Sequence, residues 1–313
     1  MPVLSAPPSG QRPASRRQPV LPPGCAPAPP VVVAVEEIGY LVPRTHFAGR
    51  IHSVFAQACN VACGETLLTL AKSGADHGPA TLLLRVDAAE DLHRLFSTGE
   101  SMVCRQGRAR TRRVDLRLTA ARVWRPPAPP DLLPAPRIAS HLQFARERLA
   151  ECRRTRSSII DRDGALIVAA LAAACRSLDR ERAVRQVDRV IGWGEGLTPA
   201  GDDLVVGLCA GLAALAGRDA RRRGFLDDLA GVMIARCSRT TPIAAHQLRL
   251  AAAGHYGESL LRVRDALLGE PERERVAIAL ECAFDVGATS GADAVTGLLC
   301  GLEAWLAPGA DPA

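Results

Sequence analysis

A twelve-residue stretch that combines glycines with paired aspartates carries the clearest signs of chemistry in this 313-residue chain. It spans 192–203, reads GWGEGLTPAGDD, and is followed directly by an apolar run. Glycine has no Cβ, so such a loop lets backbone N–H groups come close to a ligand. Thr198 is a suitable N-cap and Pro199 a suitable first helical residue, which predicts a helix start here. Because helix N-termini attract phosphate and carboxylate groups, the stretch predicts an anion site.

The adjacent aspartates Asp202 and Asp203 admit several roles. They can hold Mg²⁺, place a water molecule, or accept hydrogen bonds from a substrate amide. The simpler interpretation is an acidic first helical turn, which the helix macrodipole stabilises. No lysine follows the last glycine and no clear strand precedes the loop, so neither a P-loop nor a Rossmann fingerprint fits. For the complete stretch we favour a binding site, because three alternating glycines exceed what a helix cap requires.

Two other polar turns precede helices, and we expect them to converge with the first. They are Arg239–Thr241 and Ser290–Asp293. Together the three turns offer backbone N–H groups, hydroxyls, carboxylates and one guanidinium, a set that suits a small anionic substrate. Arg239 is the expected anion clamp. The substrate- or phosphate-binding residues expected from these turns are Gly194, Gly196, Thr198, Gly201, Arg239, Thr240, Thr241, Ser290 and Gly291.

The sequence offers no persuasive activated nucleophile. It contains no Gly-x-Ser-x-Gly motif, and His246 and His255 have no evident serine or cysteine partner. Any catalysis is therefore expected to rely on positioning and electrostatic stabilisation rather than on a covalent intermediate.

The helices that follow the first and last turns have similar sequences. Residues 201–212 align with 291–302, and both segments begin with Gly-x-Asp and carry glycines four residues apart. Such glycines expose a flat strip of backbone that lets helices approach closely, which offsets a propensity cost of about 1 kcal/mol each. We expect these two helices to pack along their glycine strips. Asp203 and Asp293 would then flank one pocket at the helix N-termini.

The pattern of the whole chain predicts an α+β protein in which an N-terminal strand-rich, barrel-like module precedes a mostly α-helical domain. Residues 1–30 are expected to form a disordered Pro-rich tail. The β-rich module spans 31–125 and includes one expected helix over 87–97, and a Pro-rich linker follows over 126–137. The helical domain with the glycine loop spans 138–307, and 308–313 is a tail. In the β module, His52, Ser53 and Asn60 are either satisfied polar groups or contributors to the site.

Composition narrows the class of protein. The apolar fraction of 48% and the charged fraction of 23% are ordinary for a soluble globular protein. The net charge of +6 comes from scattered arginines with few aromatic residues, which argues against a nucleic-acid partner. The longest apolar runs are too short to span a bilayer, so no membrane partner is expected. Ten cysteines without metal-ligand spacing, and no signal peptide, favour a reducing cytoplasmic location.

Three motifs resemble those of one known family. The Gly-Leu-Thr-Pro-x-Gly-Asp-Asp core at 196–203, the Arg-Thr-Thr-Pro turn at 239–242 and the Thr-Ser-Gly-x-Asp turn at 289–293 are similar to the AllH family, a subunit of oxamate carbamoyltransferase. The resemblance runs from about Ala48 to Leu306 and includes His52-Ser53-Val54-Phe55 and Gly78-Pro79 in the β module.

This resemblance implies carbamoyl transfer in allantoin (purine) breakdown, in which oxalurate and phosphate become oxamate and carbamoyl phosphate. It also implies a hetero-oligomer with other carbamoyltransferase subunits. Under it, the backbone of Gly194–Gly201 would hold phosphate and Arg239 would neutralise the substrate's charge. Asp203 and Asp293 would orient a carbamoyl amide or a metal, and Asp202 joins them as a candidate catalytic carboxylate.

Two other classes of function stay open. One is a non-catalytic assembly or regulatory subunit whose glycine loop senses an anion. The other is a Mg²⁺-dependent phosphotransferase that uses Asp202 and Asp203 as metal ligands. No cofactor is required by the motifs, and Mg²⁺ is the cation that the aspartate pair could hold.

Overall fold

The computed structural model describes residues 29–87, 89–156 and 158–306, except the side chains of residues 162 and 163. The tails expected at 1–30 and 308–313 lie outside these ranges, apart from Pro29 and Pro30. The described chain consists of a strand-rich module followed by helices, so the predicted α+β architecture is confirmed.

The N-terminal module is a closed barrel of eight strands with a ninth strand added at its edge. Strand β1 pairs in parallel with β8 and antiparallel with β5, which closes the barrel, while β9 extends β1 in parallel. Alternate side chains point inward and form the barrel core. The strands are β1 Val31–Gly39, β2 His46–Val54, β3 Ala58–Cys63, β4 Thr66–Lys72, β5 Thr81–Arg85, β6 Ser101–Arg105, β7 Arg108–Arg110, β8 Val114–Arg117 and β9 Arg122–Trp124.

The helix predicted over 87–97 is wrong for the residues that the structure describes. Only a short 3-10 turn forms there, at Leu92–Arg94. The Asp91 carboxylate accepts from the His93 N–H at 2.9 Å, and the Asp87 carboxylate accepts from the Ala89 N–H at 2.8 Å. These local side-chain bonds compete with helical backbone bonds and keep the segment irregular.

The C-terminal part forms a helical domain around its own core. Its helices within the described ranges are α1 Ala135–Thr155, α2 Ile159–Asp163, α3 Ala165–Ser177, α4 Arg180–Val190, α5 Ala200–Ala216, α6 Ala220–Arg236, α7 Pro242–Ala252, α8 Glu258–Gly269, α9 Arg273–Phe284 and α10 Ser290–Leu306. None of the helices in the described residues combines the length and apolar character needed to cross a membrane.

The two glycine-bearing helices α5 and α10 pack against each other at the centre of this domain. A Cβ built on Gly207 would overlap the carbonyl oxygen of Ala294, and one on Gly297 would overlap that of Leu204. Gly211 and Gly301 meet one turn further along, where a Cβ on Gly301 would lie 2.6 Å from the Leu208 carbonyl oxygen. The predicted packing along the glycine strips is therefore confirmed.

The Pro-rich segment before the helices lies on the surface of α8. The Leu133 N–H donates to the carbonyl oxygen of Leu268 at 2.8 Å, and Pro130 packs against Gly269. Helix α1 begins at Ala135, so the last residues of the predicted linker are already helical. This contact holds the segment against the domain that follows it.

Candidate functional site

The glycine loop has a backbone that only glycine adopts readily. Gly192, Gly194 and Gly196 have φ angles of 78°, 114° and 94°. A Cβ on Gly192 would lie 2.5 Å from the carbonyl oxygen of Arg239, so the loop runs against the second polar turn. A Cβ on Gly194 would lie 2.8 Å from the Ala200 nitrogen, whereas open space surrounds Gly196. The three glycines therefore shape the loop.

Asp202 fastens this loop to the second turn. Its Oδ1 accepts from the Gly192 N–H at 2.9 Å, and its Oδ2 accepts from the Thr240 hydroxyl. The residue is only 1% exposed. Burial raises the pKa of the Asp202 carboxyl, and the two hydrogen bonds oppose that rise. Both oxygens are thus engaged within the protein, where they hold the glycine loop against the second turn.

The three polar turns meet, although some of their side chains serve other purposes than expected. Thr198 does not cap α5, because Pro199 occupies the N-cap position and no side chain caps the helix. Its hydroxyl instead lies 2.7 Å from the Ser290 hydroxyl at the start of α10. Thr241 caps α7 by accepting from Ala244 N–H at 3.1 Å, and its hydroxyl donates to the Leu197 carbonyl oxygen. Hydrogen bonds therefore join all three turns.

Arg239 does not extend toward these hydroxyls. Its Nη1 donates to the carbonyl oxygen and the Oδ1 of Asp188, each at 2.9 Å, and its side chain is 46% exposed. Arg236 pairs with the same carboxylate. The carboxylate at the end of α4 thus holds the guanidinium on the surface, and the expected anion clamp is not in place. Arg239 was expected to bind an anion, but in this structure its guanidinium pairs with Asp188.

Asp293 is fully buried at the start of α10 and forms an ion pair with Arg153, whose side chain is 9% exposed. Its Oδ1 accepts from Arg153 Nη2 at 2.7 Å and from the Ser158 hydroxyl at 2.8 Å. Burial raises the pKa of the Asp293 carboxyl, and the Arg153 guanidinium opposes that rise most strongly. Sequence analysis missed Arg153 and Ser158. The one local signal was the capping box that begins at Ser158, because Asp161 follows three residues later.

A cavity of about 140 Å³ opens where three helices begin, and we call it the helix-start cavity. Asp203 of α5, Ser290 and Gly291 of α10, and Gly257 and Ser259 at the start of α8 contribute to its wall. Each of these helices directs the positive end of its dipole toward this region. Asp203 and Ser290 are the predicted site residues with polar side chains on this wall, whereas Asp202, Asp293 and the glycines of the loop lie outside it.

Asp203 is the most perturbed carboxyl of the site. It is 6% exposed, and its Oδ2 is buried without a hydrogen-bond partner among the described residues. Burial raises the pKa of Asp203 well above its ordinary value; the nearby Asp293 and Asp202 add to the rise, and the Ser290 and Thr198 hydroxyls oppose it. Folding therefore shifts this carboxyl toward its protonated form, and a protonated carboxyl can donate a hydrogen bond.

The barrel contributes a second cavity of about 190 Å³, which we call the barrel-side cavity. The two cavities share the wall residues Asp76, Pro79, Gln247 and Leu250. Backbone contacts fix this junction, because Asp76 Oδ1 accepts from the Ser259 N–H at 2.9 Å and the His77 carbonyl accepts from the Glu258 N–H at 2.7 Å. The β module therefore lines the site together with the start of α8.

The three polar residues predicted in the β module form one hydrogen-bonded chain. His52 Nδ1 lies 3.2 Å from the Ser53 hydroxyl, and Asn60 Nδ2 donates to the same hydroxyl at 3.1 Å. Thr69 donates to Asn60 Oδ1 at 2.9 Å. Of the three, Asn60 lines the barrel-side cavity, while His52 and Ser53 lie on neither cavity wall.

The arrangement of carboxylates does not form a shared cation site. Asp202 spends both oxygens on Gly192 and Thr240, while Asp203 faces the helix-start cavity. Across the described ranges, no three histidine, cysteine, aspartate or glutamate side chains are grouped so that they could hold a metal ion. The site therefore presents hydroxyls, amides and the separate carboxyls of Asp76 and Asp203 rather than a grouped set of metal ligands.

Comparison with known proteins matches both parts of this architecture. No solved structure matches the chain. The family model described as oxamate carbamoyltransferase subunit AllH matches residues 190–302, which contain the glycine loop and helices α5–α10 up to Leu302. The model described as the AllH family N-terminal domain matches residues 34–123, which make up most of the barrel. The two matches cover most of the chain, and the protein belongs to the AllH family, whose description is a subunit of oxamate carbamoyltransferase.

Proposed function

We propose that this protein is the substrate-binding subunit of a carbamoyltransferase that interconverts oxalurate and phosphate with oxamate and carbamoyl phosphate in allantoin breakdown. The anionic end of the substrate binds in the helix-start cavity. The family description supports a carbamoyltransferase subunit. We place the site in this cavity because the N-termini of three helices meet there.

The chemistry of the helix-start cavity supports an anionic ligand. Helix N-termini carry partial positive charge, and each stabilises an anion by about 0.3–1 kcal/mol. The Ser290 hydroxyl and the Asp203 carboxyl lie on the cavity wall, and Asp203 Oδ2 makes no hydrogen bond to the other described residues. Asp76 already takes one N–H of α8, so α5 and α10 provide most of the remaining attraction.

Two other predicted residues hold the elements that form the site in place. Asp202 holds the glycine loop against Thr240, and Asp293 with Arg153 anchors the start of α10. The phosphate co-substrate would bind at the glycine loop, because the space around Gly196 is open and a ligand can approach the backbone there. Arg239 has no role in this proposal, since Asp188 engages its guanidinium.

The proposed site needs a cation that this chain does not place there. Among the described residues, no lysine or arginine lines the helix-start cavity. Carbamoyl phosphate carries more than one negative charge, and helix dipoles with neutral donors neutralise only part of it. A partner subunit that contributes arginine or lysine would complete the site. The same observation supports the second candidate, a subunit that binds the anion for regulation or assembly without taking part in transfer.

An assay of the purified protein, alone and with its co-encoded partner subunits, tests this function. The assay follows phosphate-dependent cleavage of oxalurate, and calorimetry follows oxamate binding. We expect Ser290→Ala to weaken oxamate binding about tenfold, since a hydrogen bond to a charged group contributes about 1.5 kcal/mol or more. Ser177→Ala is the matched control, because Ser177 is exposed at the end of α3 and lines neither cavity.

The outcomes separate the candidates. Cleavage by the complex, lost or weakened in Ser290→Ala but not in Ser177→Ala, supports the transferase. Oxamate binding without any cleavage by the reconstituted complex supports the regulatory subunit. If neither the protein nor the complex binds oxamate, phosphate or carbamoyl phosphate, the proposed function is wrong.

A further inference from the structure

The barrel-side cavity differs from its neighbour in chemical character. Away from the wall that both cavities share, its polar side chains in the described residues are those of Asn60, Thr69, Thr81, His77 and His246. None of these is a carboxylate, a guanidinium or an ammonium group. Asn60, Thr81 and His246 are each less than 9% exposed. Apart from Asp76 on the shared wall, the cavity is therefore a polar compartment without charged side chains.

His246 presents a hydrogen-bond donor to this compartment. Its Nδ1 accepts from the Leu67 N–H at 3.4 Å, so the ring proton resides on Nε2. Within the described part of the chain Nε2 has no hydrogen-bond partner in the protein, and it is not among the atoms sealed from solvent. Burial and the nearby Arg249 lower the pKa of His246 to about 4, which keeps the ring neutral at neutral pH.

Thr81 and Gln247 complete a set of complementary groups. The Thr81 hydroxyl and the Gln247 amide make no hydrogen bond to other described residues, and both side chains line the cavity. Asn60 is already ordered by Thr69 and Ser53, which gives this wall a fixed geometry. Together they supply donors and acceptors that match a planar amide, since such a group carries both N–H donors and a carbonyl acceptor.

We infer that the barrel-side cavity is a binding site for an uncharged amide or ureido group. The carbonyl oxygen of that group accepts from His246 Nε2–H, and its N–H groups donate to the Thr81 hydroxyl and the Gln247 carbonyl oxygen. An anionic group would lose its hydration without gaining a counter-charge, since no lysine or arginine of the described residues lines the cavity, so the cavity discriminates against it. Because both cavities share Asp76 and Gln247, one ligand can place an anionic end in one and a neutral end in the other.

For the natural ligand this inference rests on the proposed function: the neutral end would be the carbamoyl group of oxalurate. The cavity assignment itself can be tested without turnover. N-methylurea is a suitable probe, because it carries the ureido group and lacks the anionic end. Binding to the full chain is followed by NMR through the ring signals of His246, assigned by comparison with His246→Gln.

The decisive variant is Thr81→Val, which removes one hydroxyl and keeps the shape of the side chain. Ser177→Ala, whose side chain lines neither cavity, is the matched control. We expect a saturable shift of the His246 ring signals with N-methylurea, about fivefold weaker in Thr81→Val and unchanged in Ser177→Ala. Acetate at the same concentrations should leave these signals unmoved, because no lysine or arginine of the described residues lines the cavity.

Three results would overturn the inference. They are the absence of a saturable His246 shift, equal N-methylurea affinity in the wild type and a folded Thr81→Val variant, and a response to acetate as strong as that to N-methylurea. Circular dichroism establishes that each variant is folded. A wild-type protein that binds N-methylurea here but supports no carbamoyl transfer with its partners would retain this site and refute only the proposed function.

Discussion

Gly207 in α5 lies directly against the backbone of Ala294 in α10, so that a Cβ at this position would overlap the Ala294 carbonyl oxygen. Because backbone blocks the space on both sides, the helices must separate to admit even one methyl group. Gly207→Ala should therefore lower the free energy of unfolding by about 3 kcal/mol or more, despite the better helix propensity of alanine. Urea denaturation followed by circular dichroism measures this loss.

Gly231 in α6 provides the control for that change. It is exposed within a helix, and a Cβ there would meet nothing within 4 Å. Gly231→Ala should stabilise the protein by up to about 1 kcal/mol. Equal effects of the two substitutions would show that the close crossing of α5 and α10 is not formed.

The pair of Arg153 and Asp293 predicts that removal of one partner lowers the free energy of unfolding strongly. Arg153→Met leaves the fully buried Asp293 without its guanidinium, and removing one partner of such a pair costs roughly 3–5 kcal/mol. The double variant with Asp293→Asn should recover part of the loss, since no unpaired charge is left. Denaturation of both single variants and the double variant gives the coupling energy. Arg154→Met is the control, because Arg154 is 71% exposed and its ion pair contributes little.

Asp203 predicts a distinctive dependence of stability on pH. Its pKa is raised by folding, so the unfolded chain releases this proton at lower pH than the folded protein does. The contribution of Asp203 to stability is therefore full below the ordinary aspartate pKa and declines as pH rises toward the folded value. In Asp203→Asn this decline is absent. The stability of the variant relative to the wild type should therefore rise as the pH increases from about 4 to about 8.

Chemical denaturation over that pH range measures the difference between the two proteins. Asp227→Asn, an exposed position on α6, should follow the wild-type curve in parallel. A constant difference between Asp203→Asn and the wild type at every pH would contradict the raised pKa of the buried Asp203 carboxyl.

His246 predicts the opposite dependence. Folding lowers its pKa from 6.5 to about 4, so below pH 6.5 the unfolded chain binds a proton that the folded protein does not. Stability should therefore fall as pH decreases from about 6.5 to about 4, by about 3 kcal/mol at the lower end. His246→Gln should flatten this part of the curve. Substitution of the exposed His93 by glutamine should leave this part of the curve unchanged. If His246→Gln keeps the wild-type slope, the His246 ring is not buried in its neutral form.

Local signals in the sequence were sufficient for most of the fold. A run of apolar residues indicated a strand over Thr81–Val86, which forms as β5 Thr81–Arg85, and helical spacing with glycine and proline boundaries indicated the helices. The exception at 87–97 has a local cause as well, because Asp87 and Asp91 bind nearby backbone N–H groups. Periodicity alone does not show which of two competing hydrogen-bond patterns prevails.

The site was predictable only in part. The likeness between residues 201–212 and 291–302 predicted that α5 and α10 pack together, which brings Asp203 close to Ser290. The partners of the charged groups were not predictable. Asp188 lies 51 residues before Arg239, and Arg153 lies 140 residues before Asp293. Any of the 39 basic residues is compatible with any carboxylate in the sequence, so such pairs carry no local signal.

The sequence by itself determined the order of barrel and helices, the shape of the glycine loop and the family, because each depends on residues that are neighbours along the chain. Only the tertiary structure decided that Asp203 faces a cavity while Asp202 and Asp293 are engaged internally, and that residues of the barrel line the neighbouring cavity. The reason is physical: burial and pairing depend on what packs against a side chain, and those neighbours come from distant parts of the chain.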